Sequence, residues 1–452
     1  MTGAERGDGA PLEGAGTGPV AYDDAPLRPF HLRVAAASTG GVFSDGFGLG
    51  IIGTALSLGA PQLALTPRWF GLLGGASLAG LFLGALATGP AADQFGRRPI
   101  YAYNMALLAS LSILQFFVDS AGPLFALRLL IGFVLGTDYV VSKALLTEFT
   151  PRRFRGRILS LLSVAWAAGY TCAYGTGFAL AHVGAEPWRW MLLASAAPCL
   201  LILPLRITMP ESPLWLSDHG HLERAAQVVR QRFGARVMPP HGARSAPREG
   251  GRWRVLVSPQ WRRRTLVGCT FFTCLVIPYF AVGTFVARVL EALHVQGGAV
   301  GGLIYNASLL GGAVAGLVVI DRMPRRSFLT GSFTLAAASL MAFVVWNDLP
   351  PAVIIVLFAI LAGVLSAASD LVYVYLPELF PTDLRASGIG LAVAASRIGS
   401  AVSTFLLPIV VDDFGARAAL GACMAVLVIG GLVCQLWAPE TRHVRLDVPD
   451  GG

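Results

Sequence analysis

An acid inside a long apolar run costs on the order of 2.5–3.5 kcal/mol on insertion scales, so each one asks for a chemical reason. Asp45 and Asp138 lie deep in two such runs, and so does Lys143, the one lysine of the chain. By the helical rise of about 1.5 Å per residue, both acids fall near the middle of a bilayer. There they form a candidate proton site, since an acid in a cavity loads and releases a proton as its access to water changes. Lys143 is expected to pair with Asp138 or with a substrate carboxylate. Arg128, nearer the other end of the Asp138 run, is expected to neutralise an acid there. Tyr139, Trp166, Tyr279, Phe280 and Thr284 supply rings and a hydroxyl suited to lining a binding cavity, while Asp370 and Arg397 are candidates for an intramembrane pair. The chain has no G-x-x-x-x-G-K-[ST] phosphate loop, no H-E-x-x-H and no C-x-x-C. Direct use of ATP, a bound metal or cofactor, and enzymatic chemistry are therefore not expected.

The elements that must position these residues follow from composition. Of 452 residues, 13% are charged and 55% apolar, against roughly 25% charged in soluble domains. With a mean hydropathy of +0.64, this excludes a water-soluble globule and a disordered chain. Net charge is +8, carried by arginines clustered between apolar runs, which suits the cytoplasmic surface of a bilayer and not nucleic acid. Twelve runs are long enough to cross as helices: 34–59, 69–91, 99–119, 122–146, 157–181, 188–207, 264–288, 298–320, 327–346, 351–375, 386–411 and 416–437. Each needs about 20 apolar residues, and their continuity argues against barrel strands. The expected fold is an all-α membrane protein of two six-helix bundles, 34–207 and 264–437. Residues 1–33 read as a disordered cytoplasmic tail, 208–263 as a cytoplasmic linker with a short amphipathic helix at His221–Phe233, and 438–452 as a second tail. Ten arginines in the loops after runs 2, 4, 8 and 10, against Arg68, Arg189 and Arg417 on the other side, predict both termini in the cytoplasm.

The halves repeat. Glu148, Pro151 and Arg155 recur as Glu378, Pro381 and Arg385; Asp93, Arg97 and Arg98 recur as Asp321, Arg325 and Arg326; Pro210-Glu211-Ser212 recurs as Pro439-Glu440-Thr441. Order and spacing are kept in each, and every motif lies at the same end of its span. A duplicated six-span unit permits two halves to rock about a site between them.

At these residues the chain resembles the major facilitator superfamily, over about 34–442. Gly89-Pro-Ala-Ala-Asp93-Gln-Phe-Gly96-Arg97-Arg98 is similar to its G-x-x-x-D-x-x-G-R-R loop, and Arg128 with Gly132 to its R-x-x-x-G motif in span 4. Pro210-Glu211-Ser212-Pro213-Leu214-Trp215-Leu216 resembles the P-E-S-P-R-W-L segment of sugar-porter-like members, with Leu214 for Arg, and the second loop motif has Pro324 where Gly is frequent. The resemblance implies a cytoplasmic gate of Asp93, Gly96, Arg97, Glu148, Arg155, Asp321, Arg325, Glu378 and Arg385, with Asp93 and Arg97 latching the halves in the outward-open state. Phe43-Ser-Asp45-Gly46-Phe47 is similar to the D-G-[YF]-D segment of proton-coupled organic-anion members, with Gly48 replacing the second acid, and Gly136-Thr-Asp138-Tyr139 to part of a phosphate:proton motif. Glucose-type members carry glutamines in spans 5 and 7 and none stands here. The expectation is a plasma-membrane secondary transporter, working as a monomer, that moves a small organic or aromatic acid anion with protons. Export of a metabolite or drug, a sugar-type facilitator and, least, a non-transporting sensor are the alternatives.

Overall fold

The computed structural model describes residues 19–240, 255–295, 298–320, 322–346, 348–380 and 382–441, without the side chains at 93, 299, 382, 383, 385 and 386. Twelve helices among these are long and apolar enough to cross a membrane. In chain order, spans 1 to 6 are Pro29–Gly59, Pro67–Ala92, Arg97–Phe117, Ala121–Phe149, Arg152–Leu180 and Pro187–Ile207. Spans 7 to 12 are Arg262–Thr284, Val300–Ile320, Arg325–Val345, Pro351–Ser369, Ser387–Phe414 and Ala416–Trp437. The one β feature described is an isolated bridge between Val20 and Val237.

Pairing within each half follows one plan. Spans 1 and 5, 2 and 4, and 3 and 6 pack together, and six spans later so do 7 and 11, 8 and 10, and 9 and 12. The two bundles then meet along spans 2 and 11 and along spans 5 and 8, a relation that the same exchange of halves preserves. Lipid is as apolar as leucine, so close backbone approach holds such helices together. Gly132 lets span 4 touch span 2, where a Cβ would sit 2.1 Å from the Ser77 carbonyl oxygen; Gly312 does the same for span 8 against Gly363 of span 10. Large apolar side chains such as Leu86, Leu201, Ile429 and Leu436 stay exposed on the outside, where acyl chains would cover them.

Some spans are broken. Span 6 is two helices, Pro187–Ala194 and Ala196–Ile207. Span 7 ends at Thr284 and resumes as Val286–Ala292; span 10 ends at Ser369 and resumes as Leu371–Glu378, with Asp370 at the junction.

The described part of the expected tail is ordered, and span 1 begins at Pro29 instead of 34. The reason is aromatic anchoring. Tyr22 packs at a tilt on Phe233 at 4.8 Å, and Phe30 sits edge-on to Phe149 at 5.3 Å. Val20 donates to the Arg236 carbonyl and accepts from Met238, both at 2.9 Å. Phe233 caps the linker helix, Leu222–Arg232, which lies where the amphipathic pattern put it. Residues 19–28, the linker helix and residues 438–441 gather at one face of the bundles, here the terminal face: Tyr22 donates to the Glu148 carbonyl at 3.0 Å, Tyr375 to that of Pro439 at 2.9 Å.

Candidate functional site

A central cavity opens between the bundles, and the breaks and crossings above set its lining. Span 1 contributes Asp45, span 4 Tyr139 and Lys143, span 5 Ser163 and Trp166. The C-terminal bundle contributes Phe272, Tyr279 and Phe280 from span 7, Ser366, Ser369 and Tyr373 from the broken span 10, and Arg397 from span 11. Trp166 packs on Tyr279 and Phe280, each at 5.8 Å between ring centroids, so the three rings form one apolar wall across the bundle boundary.

Two cations share the cavity with this wall. Lys143 Nζ lies 3.3 Å from the Tyr139 ring centroid and 4.5 Å from that of Tyr373. The Arg397 guanidinium lies 5.3 Å from the same Tyr139 ring and 5.8 Å from Phe280. Neither cation has a carboxylate partner among the described residues; ring faces hold them instead. Asp45 is buried and its Oδ1 meets no donor. It lies within electrostatic range of both Asp138 and Lys143.

Asp138 is placed differently from the expectation. It stands off the cavity lining and pairs with Arg206, not Lys143, and both side chains are fully buried. Arg206 Nη2 reaches Oδ2 at 3.0 Å, Ser142 donates to the same oxygen at 3.0 Å, and Asn104 donates to Oδ1 at 3.2 Å. Arg206 also donates to the Ala37 carbonyl at 3.2 Å and stacks over Tyr101 at 4.2 Å. Asp138 thus has a counter-charge and a full set of donors, joining spans 1, 3, 4 and 6. The expected Asp370–Arg397 pair does not form either: Asp370 accepts from Ser163, and Arg397 faces rings. Arg128 is buried off the cavity, donating to the Gly48 carbonyl at 3.0 Å. Thr284 lies at the span 1–span 7 crossing, where a Cβ on Gly53 would meet its carbonyl oxygen.

At the terminal face the gate motifs resolve into matched devices within each bundle. Arg97 pairs with Glu148, and Arg325 approaches Glu378 at 3.6 Å. Arg155, expected in the same gate as Glu148, bonds Asp23 of the N-terminal segment at 2.9 Å. Glu378, expected in the same gate as Arg385, accepts from Thr441 at 2.5 Å. Asp321 and the side chains of Asp93 and Arg385 lie outside the described residues. Gly96 turns the chain at φ 90°, and a Cβ there would sit 2.5 Å from Glu211 Oε2. That carboxylate accepts from the amides of Arg97 at 3.2 Å and Arg98 at 3.1 Å, capping span 3. Glu440 caps span 9 in the same way through Arg325 and Arg326, both at 3.0 Å. The Pro-Glu-Ser and Pro-Glu-Thr repeats are therefore helix caps supplied by the segment following the sixth span of each half.

Sequence reasoning missed Arg206 and Tyr373, and gave Ser163 no role. Arg206 stands at the end of span 6 and reads as an ordinary loop arginine; only the fold turns it inward.

A family profile described as "Sugar (and other) transporter" matches residues 34–449. The chain belongs to this family of the major facilitator superfamily. The inner membrane metabolite transport protein YgcS of Escherichia coli K12 is 41% identical over 95% of this chain and 96% of its own length. The putative metabolite transport protein YaaU of the same organism is 34% identical over 94% and 96%. The partially occluded inward-open xylose transporter XylE from E. coli superposes with a TM-score of 0.76 at 19% identity, covering 92% of this chain and all of that one. The family fixes the architecture as a multi-pass transporter with twelve spans, and a transporter, not an enzyme, is the class of function.

Proposed function

We propose that this transporter moves a small organic anion across an inner membrane, coupled to protons, by rocking its two bundles about the central cavity. The observation that carries the anion reading is the pair Lys143 and Arg397. Two cations from opposite bundles face one cavity against aromatic rings, neither forms an ion pair among the described residues, and Asp45 is the one carboxylate that shares the described lining with them. Leaving such charges uncompensated in a low-dielectric site is costly, and a carboxylate between them would meet charge-assisted donors from both halves. Bridging the bundles, it would also favour their closure around it. Trp166, Tyr279 and Phe280 give an apolar wall for the body of an aromatic or short aliphatic acid, which suits such a solute better than a hydroxyl-rich hexose. Asp45, buried with an unpartnered oxygen at the same cavity, takes the proton-carrying role; Asp138, already neutralised by Arg206, holds the N-terminal bundle together.

The test is uptake into proteoliposomes of aromatic monocarboxylates, short carboxylates, phosphate and hexoses, with and without an imposed pH gradient. A carboxylate accumulates only with the gradient. Asp45→Asn abolishes accumulation and keeps exchange. Lys143→Gln and Arg397→Gln each weaken carboxylate binding by about 10-fold or more, the loss of one charge-assisted bond. Gradient-insensitive uptake, or a hexose taken up equally well by both cation variants, overturns the reading.

A further inference from the structure

Asp370 is a buried acid to which the cavity reading gives no work. It stands where span 10 breaks, between Pro351–Ser369 and Leu371–Glu378, and its side chain is almost wholly buried. One carboxylate oxygen accepts from the Ser163 hydroxyl at 2.5 Å; the other meets no donor. Gly316 of span 8 leaves room for that second oxygen, since a Cβ there would sit 2.3 Å from it.

Ser163 belongs to span 5 of the opposite bundle and lines the cavity. The bond therefore ties the two bundles at the cavity wall. Farther along span 5 from the terminal face the bundles are packed more firmly, with Thr171 donating to the Asn306 carbonyl at 2.8 Å. No cation pairs with Asp370 among the described residues. The titratable groups facing it are the phenols of Tyr279 on span 7 and Tyr373 on its own segment. Span 5 presents the Ser163 hydroxyl to it and span 8 presents Gly316. Lys143 and Arg397, in the same cavity, are turned to the Tyr139 ring. A buried carboxylate with one donor and no counter-charge exchanges a proton readily once water reaches it.

We propose that Asp370 is a second proton-loading carboxyl, seated in the C-terminal bundle, and that its bond to Ser163 is a latch between the bundles that its charge state makes and breaks. The carboxylate takes a proton from cavity water, becomes neutral, and returns the proton to water on the other side; one O–H bond forms and later breaks. This rests on the proton-coupled reading above and adds a site to it, with Asp45 serving one bundle and Asp370 the other.

A readout without any substrate tests it. Spin labels on Arg157→Cys and Met323→Cys, one on each bundle, with Cys172 replaced by serine, report the inter-bundle distance in proteoliposomes from pH 5 to pH 8. The ratio of the two distance populations is expected to change with pH by at least about threefold in otherwise native protein. Asp370→Asn is expected to hold the acid-end distribution at every pH, Asp370→Glu to restore the response, and Asp45→Asn to keep part of it. Should Asp370→Asn fail to fold, Ser163→Ala carries the test: it raises the separated population at pH 8 by at least about threefold. A response in Asp370→Asn equal to that of the parent, no response in the parent, or an unchanged distribution in Ser163→Ala overturns the proposal. Gradient-insensitive uptake with these distance responses intact would instead overturn proton coupling alone.

Discussion

Asp45 and Asp138 carry the same carboxyl in different surroundings, and the roles proposed for them follow from those neighbours. Asp138 has Arg206, Ser142 and Asn104; Asp45 lines the cavity, and its buried Oδ1 has no donor. Removing one partner of a buried ion pair leaves the other uncompensated, at about 3–5 kcal/mol, whereas replacing both by apolar groups of like size is near neutral. Asp138→Asn and Arg206→Gln are each expected to lower the melting temperature in detergent by several degrees. Asp138→Leu combined with Arg206→Met recovers most of that loss. If Asp138→Asn melts with the parent and loses only proton coupling, the division of roles is wrong. The sequence marked both acids by their depth in apolar runs. It did not mark Arg206, because an arginine at the end of a span looks the same whether it points to water or to the core. Arg397 was visible as a buried charge; its freedom from Asp370 was not, since pairing across helices depends on rotation about their axes.

At the scale of elements, the repeated motifs act as caps and staples. The amides opening a helix lack partners within it and carry the positive end of its dipole, and Glu211 and Glu440 supply the carboxylates for spans 3 and 9. Glu211→Gln removes the charge and keeps an acceptor. Its expected cost, by thermal unfolding, is about 0.5–2 kcal/mol. Gly96→Ala puts a methyl both into a left-handed turn and against Glu211, so its cost is expected to exceed about 1 kcal/mol and to fall when Glu211 is shortened to Asp. Equal costs in the two backgrounds would show that the contact with Glu211 is immaterial. The N-terminal segment staples the same region. Burial and the nearby Glu148 carboxylate push the Tyr22 phenol far above its usual range, so it remains a donor at any physiological pH. These motifs were legible as repeats because spacing survives in the sequence. Their partners were not, since the caps close over more than a hundred residues.

For the whole molecule, the halves of the bundles away from the terminal face are packed together through small residues. Gly53 meets the Thr284 carbonyl and Gly71 that of Phe405; a Cβ at either would sit near 2 Å from that oxygen, at 1.7 and 2.1 Å. Gly53→Val is therefore expected to wedge the bundles apart on that side. Labelling of a cavity cysteine, Ser369→Cys, by an impermeant maleimide added from the side opposite the termini should rise by at least about fivefold. Unchanged labelling would mean the crossing does not control access.

Twelve apolar runs, their arginine-rich loops and the tandem motifs follow from the amino-acid order alone, because hydropathy and spacing are local properties that a bilayer reads directly. Which charge faces which could be decided only by the tertiary structure. A helix exposes a given side chain to the cavity, to lipid or to its own bundle by a rotation that its hydropathy does not encode. Packing the bundles is what brought Lys143 and Arg397 to one tyrosine ring, withdrew Asp138 to Arg206, and left Asp370 holding the serine of the opposite half.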